Sequence, residues 1–174
     1  MRMIRPTTIL LLIVVFGWSL LKGIELLVRG SNTADRIIYD EVGIGWLAVS
    51  LIAIIAVLDA VAIRYLIKPA PLGRLVCLAS IGLSALQTSI GMVVARAYPE
   101  IARRAFVVSR ESRGLPVRQE VIDTALDPTM SLLLLCGSLL VSGVLALLVI
   151  WNWSYFSDSS KPSTMQLQPT NGGV

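Results

Sequence analysis

The sequence has no histidine, only two cysteines, and few charged residues, which make up 15% of the chain. Soluble domains carry about 25% charged residues. This composition, with 55% hydrophobic residues and a mean hydropathy of +0.77, is therefore that of a membrane protein. The lack of histidine also removes the commonest metal ligand and general base of proteins.

Patterns typical of catalysis or of phosphate binding are missing as well. We find no nucleophile beside a base, no metal-ligand spacing and no glycine-rich phosphate loop. Cys77 and Cys136 lie early in successive apolar runs that should cross a membrane in opposite directions. Their thiols are therefore expected near opposite leaflets, where they cannot pair. We expect no enzymatic activity, no cofactor and no metal ion.

Long apolar runs dominate what is present. A bilayer core is spanned by a helix of about 20 apolar residues. Four runs reach this length: residues 7–28, 44–67, 75–98 and 130–153. They predict an all-α integral membrane protein whose four transmembrane helices form an antiparallel bundle. Residues 1–155 would form this single domain, and residues 156–174, rich in serine, proline, glycine and glutamine, are expected to be a disordered tail.

The first run follows a basic start, MRMIRP, and a cleaved signal peptide is therefore an alternative. Its apolar stretch exceeds the usual core of about 7–15 residues, and no A-x-A cleavage site follows it. We expect the first helix to be retained. A three-helix mature protein is the alternative.

The connection between the third and fourth runs is expected to contain an amphipathic helix. Pro99 suits a first helical position, Ile101, Ala105 and Val108 share one face, and Gly114 suits the end. Four arginines flank this apolar stripe: Arg103, Arg104, Arg110 and Arg113. Such a basic segment usually lies in the lipid headgroup layer. A small folded cap and a docking surface for a partner protein are the alternatives.

With four spans, the first and third connections emerge on the same side of the membrane. The first is net acidic around Asp40 and Glu41, and the first half of the third is net basic. We therefore expect these two connections to touch and to form one cap. The basic residues that flank the short segments favour both termini in the cytoplasm of a bacterial inner membrane. A raw count of arginines favours the opposite orientation.

Small residues at fourfold spacing predict close packing of the third and fourth runs. On the third run Ser80, Ser84 and Thr88 have this spacing, and Gly91 continues the pattern. On the fourth run Ser138, Ser142 and Ala146 have it, with Gly143 beside them. A polar pore is the alternative. We favour packing, because hydroxyl groups in membrane helices usually bond the carbonyl of residue i−4.

One acid, Asp59, interrupts the second run in LIAIIAVLDAVAIRYL. An acid at this depth costs about 2.5–3.5 kcal/mol to insert and usually faces the bundle interior. Arg64 lies about 140° further round the helix, so it is not a partner. Counting depth from the helix ends suggests Ser84, Gln87, Ser142 and Ser19 as neighbours, with Gln87 as the best internal partner. Without a cation a buried carboxyl group favours its neutral form, hydrogen-bonded within the bundle. Ion coupling and contact with another subunit are the alternatives.

Together these features favour an accessory, scaffolding or assembly role in a larger membrane complex. The alternative is a small transporter or channel component that uses Asp59 as the acid coupling proton or ion movement. The expected partners are the lipid bilayer and another membrane protein or a second copy of the chain. The net charge of +4 does not indicate nucleic acid, because the basic residues cluster at helix ends and in connections.

Overall fold

The computed structural model describes residues 5–29 and 33–157, and within these ranges the regular secondary structure is entirely helical. The helices are α1 (Arg5–Arg29), α2 (Ala34–Glu41), α3 (Gly45–Ile67), α4 (Gly73–Ala97), α5 (Pro99–Glu111), α6 (Gln119–Ala125), α7 (Pro128–Trp151) and α8 (Trp153–Ser157). This confirms the all-helical class.

Four of the helices are long and apolar enough to cross a membrane. Their apolar spans are Thr7–Val28, Gly45–Ile67, Gly73–Ala97 and Pro128–Trp151. Each span begins and ends within two residues of the run predicted from hydropathy. The number and the position of the membrane-length helices are therefore confirmed.

The long helices pack in a row, with α1 against α3, α3 against α4, and α4 against α7. One apolar cluster joins the start of α1, the end of α3, the start of α4 and the end of α7. Its buried members are Ile9, Leu12, Phe16, Ala62, Leu66, Cys77, Ile81, Val149 and Phe156. The two central helices, α3 and α4, therefore carry most of the packing.

The short helix α8 closes this end of the molecule. Phe156 is fully buried, and the Tyr155 hydroxyl donates a 2.6 Å hydrogen bond to the carbonyl oxygen of Leu66. Leu66 lies in the last turn of α3, where carbonyls lack an intrahelical partner. The guanidinium of Arg74 stacks 3.4 Å from the ring centroid of Trp153. Phe156 and Ser157, which were expected in the tail, thus belong to α8; residues 158–174 lie outside the described residues.

A second cluster forms where α2 packs on α5. Ile38 of α2 lies against Ala102 and Ala105 of α5. Arg104 Nη2 donates to Glu41 Oε2 at 3.0 Å. The first and third connections thus contact each other through α2 and α5. Asp40, however, pairs with Arg36 of its own helix at 2.8 Å.

The buried face of α5 differs by a small rotation from the predicted one. The structure buries Ala102, Ala105 and Ser109, whereas Val108 of the predicted stripe is 46% exposed. The small side chains let α5 approach α2 closely, and the larger Val108 turns outwards. Gly114, the predicted stop, has a φ of +67°, a conformation that glycine adopts without strain.

Helix α7 contacts α4 along one side only. The positions that are buried or half-buried mostly recur with helical spacing: Ser131, Leu135, Ser138, Ser142, Leu145, Ala146, Leu148 and Val149. Gly143 was expected at this contact but is exposed, with no heavy atom within 4 Å of a Cβ added to it. At 100° per residue it lies on the side of α7 that faces away from α4.

Candidate functional site

Asp59 is fully buried on α3, and its partner is on α4. The hydroxyl of Ser80, itself 1% exposed, donates a hydrogen bond to Asp59 Oδ1. The Ser19 hydroxyl of α1 approaches the same carboxyl group. Oδ2 nevertheless makes no hydrogen bond among the described residues. An unpaired buried oxygen costs about 1–3 kcal/mol, so this carboxyl group lowers the stability of the packed helices.

The short turn between α3 and α4 determines which residue meets Asp59. Asp59 lies eight residues before the last residue of α3, and Ser80 lies seven residues after the first residue of α4. Residues equally far from a tight turn lie at equal height on the two helices. Ser80, expected only as a packing residue, therefore takes the position predicted for Ser84.

A polar cleft of about 410 Å³ lies between α1, α2, α3 and α4, on the side of the molecule where α2 and α5 pack. Its polar lining consists of Ser19, Lys22, Asp35, Tyr39, Ser84, Gln87 and Thr88. Its apolar lining consists of Trp18, Leu26, Ile52, Ile55, Met92 and Ala95. Both kinds of wall are typical of sites for small or amphiphilic ligands.

The predicted intramembrane cluster is divided by this arrangement. Ser84 and Gln87 line the cleft together. Asp59 lies beside it, one helical turn after the lining residue Ile55 and close to Ser19. Ser142 is half-buried on α7 and is not part of the lining.

Two residues predicted for packing between α4 and α7 instead shape the cleft. Thr88 lines it, and the Thr88 hydroxyl donates to the carbonyl of Ser84 at 3.0 Å, the bond expected of a membrane-helix hydroxyl. Gly91 faces α2: a Cβ added there would lie 3.1 Å from the Tyr39 hydroxyl. A glycine at position 91 therefore lets Tyr39 cover the cleft.

Lys22 and Asp35, which carry opposite charges, lie at the mouth of the cleft. Lys22 Nζ pairs with Glu25 Oε2 at 2.8 Å and lies 5.4 Å from the centroid of the Trp18 ring. Asp35, in the first turn of α2, forms no ion pair or hydrogen bond through its side chain with any described residue. Asp35 is exposed at the mouth of the cleft, and partial desolvation by the surrounding helices raises its pKa above the ordinary value. Burial, and then the Asp35 charge, also raise the pKa of Tyr39.

A wider cavity of about 850 Å³ adjoins the cleft and shares Lys22, Leu26 and Asp35 with it. It continues to α5, where Ser109, Ser112 and Arg113 line it. The polar surface thus extends from the centre of the helix row outwards between α1, α2 and α5.

The four predicted loop arginines all make contacts within the chain. Arg103 pairs with Asp123 at 3.3 Å, and Arg104 with Glu41. Arg110 donates to the carbonyl of Pro116 at 3.1 Å, and Arg113 donates to Ser109. Each guanidinium has five N–H donors, so these bonds leave donors available to lipid phosphates.

Comparison with protein-family models, with curated proteins and with solved structures gives no match for this chain. Among the residues that the structure describes, no three or more cysteines, aspartates and glutamates group together as a metal site. The functional argument therefore rests on the geometry of this chain alone.

Proposed function

We propose that this is a multi-pass membrane protein that serves as an accessory or assembly component of a larger membrane complex. In this proposal α1, α3, α4 and α7 cross the bilayer in alternating directions, and α2, α5 and α6 form a cap on one side. The observation that supports the assembly role is the open side of α7.

Membrane helices associate through close packing at small residues, because lipid tails solvate leucine as well as another helix does. Gly137 and Gly143 of α7 are both exposed, with nothing within 4 Å of an added Cβ. Cys136 beside them is exposed too. Ser138 and Ser142 belong to the side that packs on α4. A helix of a partner protein, or of a second copy, would fit against the opposite side.

Replacing Gly143 with leucine should weaken this association without disturbing the fold of the chain, since the added side chain meets no atom of the protein. We expect the recovery of the assembled species to fall by about tenfold, which corresponds to about 1.4 kcal/mol. Cross-linking in native membranes, followed by purification in mild detergent, measures this recovery.

Gly82→Leu is the matched control, because Gly82 is an exposed glycine of α4 that also has nothing within 4 Å of an added Cβ. Its effect should be small. Equal recovery of the assembled species from the Gly143→Leu variant and the unmodified protein would argue against an interface on α7.

We further propose that the protein lies in a bacterial inner membrane with both termini and α8 in the cytoplasm. Arg64, Lys68 and Arg74 flank the short turn beside α8, and basic residues next to short connections favour the cytoplasmic side. A fluorescent reporter fused after Val174 should therefore be active, and a periplasmic phosphatase fused there should be inactive. Activity of the phosphatase alone would reverse the orientation.

A second candidate is a small transporter or channel component with Asp59 as the coupling acid. The observation that favours it is the free Oδ2 atom of this buried carboxyl group beside a polar cleft. Intramembrane acids often mark proton or ion pathways.

A further inference from the structure

We propose that the polar cleft binds the headgroup of an aminophospholipid, with phosphatidylethanolamine as its ligand. In this arrangement Asp35 receives the primary ammonium group, and Lys22 receives the phosphate. The proposal depends on the membrane arrangement above but not on the assembly role of α7, so the two can fail separately.

The first support is the depth of the cleft. The lining runs from Ser84 and Gln87, near the middle of α4, to Lys22 of α1 and Ala95 of α4, near the helix ends that lead to α2 and α5. The mouth of the cleft therefore lies at the end of the membrane-length spans, where lipid headgroups lie, and the cleft continues from there towards mid-span. Its volume of about 410 Å³ is within the range of about 300–1,000 Å³ typical of ligand sites.

The second support is the set of polar groups without partners. Asp35, Tyr39, Ser84 and Gln87 line the cleft, and their side chains make no hydrogen bond with other described residues. Asp35 is exposed, Ser84 and Gln87 are half-buried, and no polar atom of the four is among the buried unpaired atoms of the described residues. A polar ligand that enters the cleft can therefore reach all four groups.

The chemistry of these groups selects a primary ammonium group. A carboxylate, an amide oxygen and hydroxyl oxygens are acceptors, and a primary ammonium group offers three N–H donors to them. A choline headgroup has no N–H donor and is recognised chiefly by aromatic faces. The Trp18 ring is already covered by the Lys22 ammonium group, 5.4 Å from its centroid.

The charges at the mouth complete the match to a zwitterion. Lys22 is 53% exposed, and Arg113 lines the adjoining cavity further out, so both can approach a phosphate. Apolar side chains line part of the cleft itself, among them Leu26 and Ile52. Acyl chains would leave the cleft along these side chains and continue into the bilayer.

Native mass spectrometry of the purified full chain tests this proposal, with phosphatidylethanolamine, phosphatidylcholine and soluble phosphoethanolamine as probes. We expect the unmodified protein to retain phosphatidylethanolamine in preference to phosphatidylcholine. Asp35→Asn should reduce that preference by about tenfold, as expected for losing a hydrogen bond to a charged group. Gln87→Leu, which removes an uncharged partner, should reduce it by about threefold to fivefold.

Asp123→Asn is the matched control, because Asp123 is an exposed acid of α6 that pairs with Arg103 and does not line the cleft. It should leave the lipid preference unchanged. Equal binding of the two phospholipids would overturn the proposal, as would a preference that survives both cleft variants. Tight binding of soluble phosphoethanolamine would also overturn it and would indicate a ligand from the aqueous phase.

Discussion

Replacing Phe156 with alanine should lower the free energy of unfolding by about 3–5 kcal/mol, the range for deleting a fully buried phenylalanine side chain. Phe156 is 0% exposed in the cluster that joins α1, α3, α4 and α7. A Cβ added to Gly73 would lie 3.0 Å from two atoms of its ring. The ring is therefore held against the α4 backbone, and its loss would leave a cavity that helices cannot easily close.

The stability of the variants can be measured by unfolding in mixed micelles, with helical content as the signal. Trp151→Ala is the control, because Trp151 precedes α8 but is 85% exposed, so it should change stability little. Tyr155→Phe should cost about 1 kcal/mol, since it removes the hydrogen bond to Leu66. If Phe156→Ala cost no more than Trp151→Ala, α8 would not be docked on the bundle in a lipid environment.

The membrane-length helices could be predicted because the thickness of the bilayer dictates their length and composition. Residue 156 shows the limit of this approach. The hydropathy pattern predicted that the last span ends at residue 153, and polar residues dominate the chain beyond it. The docking of α8 depends on tertiary contacts of Tyr155 and Phe156 with α3 and α4, and no local pattern encodes such contacts.

Ser80, the hydrogen-bond partner of Asp59, lies one helical turn from the predicted neighbour Ser84. The third span was predicted to begin at residue 75, whereas α4 begins at Gly73. Depth counted from the predicted start pointed to Ser84, whereas depth counted from the observed turn points to Ser80. An error of two residues at a helix end is thus enough to change the interacting pair, because adjacent turns carry serine at positions 80 and 84.

The polar cleft could not be predicted, because its shape depends on the separation of helices. Ser84 and Gln87 were identified from their chemistry and depth alone. The contribution of α2, which brings Asp35 and Tyr39 over α4, depends on contacts with α5 that are 60 or more residues away in sequence. The Gly91 position that admits Tyr39 looks in the sequence like one more small packing residue.

Replacing Asp59 with lysine should destabilise the protein by about 3–5 kcal/mol, the cost of leaving an uncompensated charge in a buried site. The site is 0% exposed, and its hydrogen-bonded neighbour Ser80 is an uncharged hydroxyl. Asp59→Asn should cost little by comparison. Its amide oxygen can still accept the Ser80 hydrogen bond, and it resembles the neutral carboxyl group that the sequence predicts at this position.

Unfolding in mixed micelles and proton flux into liposomes containing the purified variants together decide the role of Asp59. The assembly proposal expects Asp59→Asn to keep both its stability and any basal flux, because a neutral structural carboxyl group carries no proton across the membrane. Destabilisation of Asp59→Asn equal to that of Asp59→Lys would contradict a neutral structural role for this carboxyl group. If Asp59→Asn kept its stability but lost a proton flux seen in the unmodified protein, the transporter candidate would be favoured. Asparagine is close to aspartate in shape but cannot bind and release a proton, so this result would identify Asp59 as the proton-exchanging group.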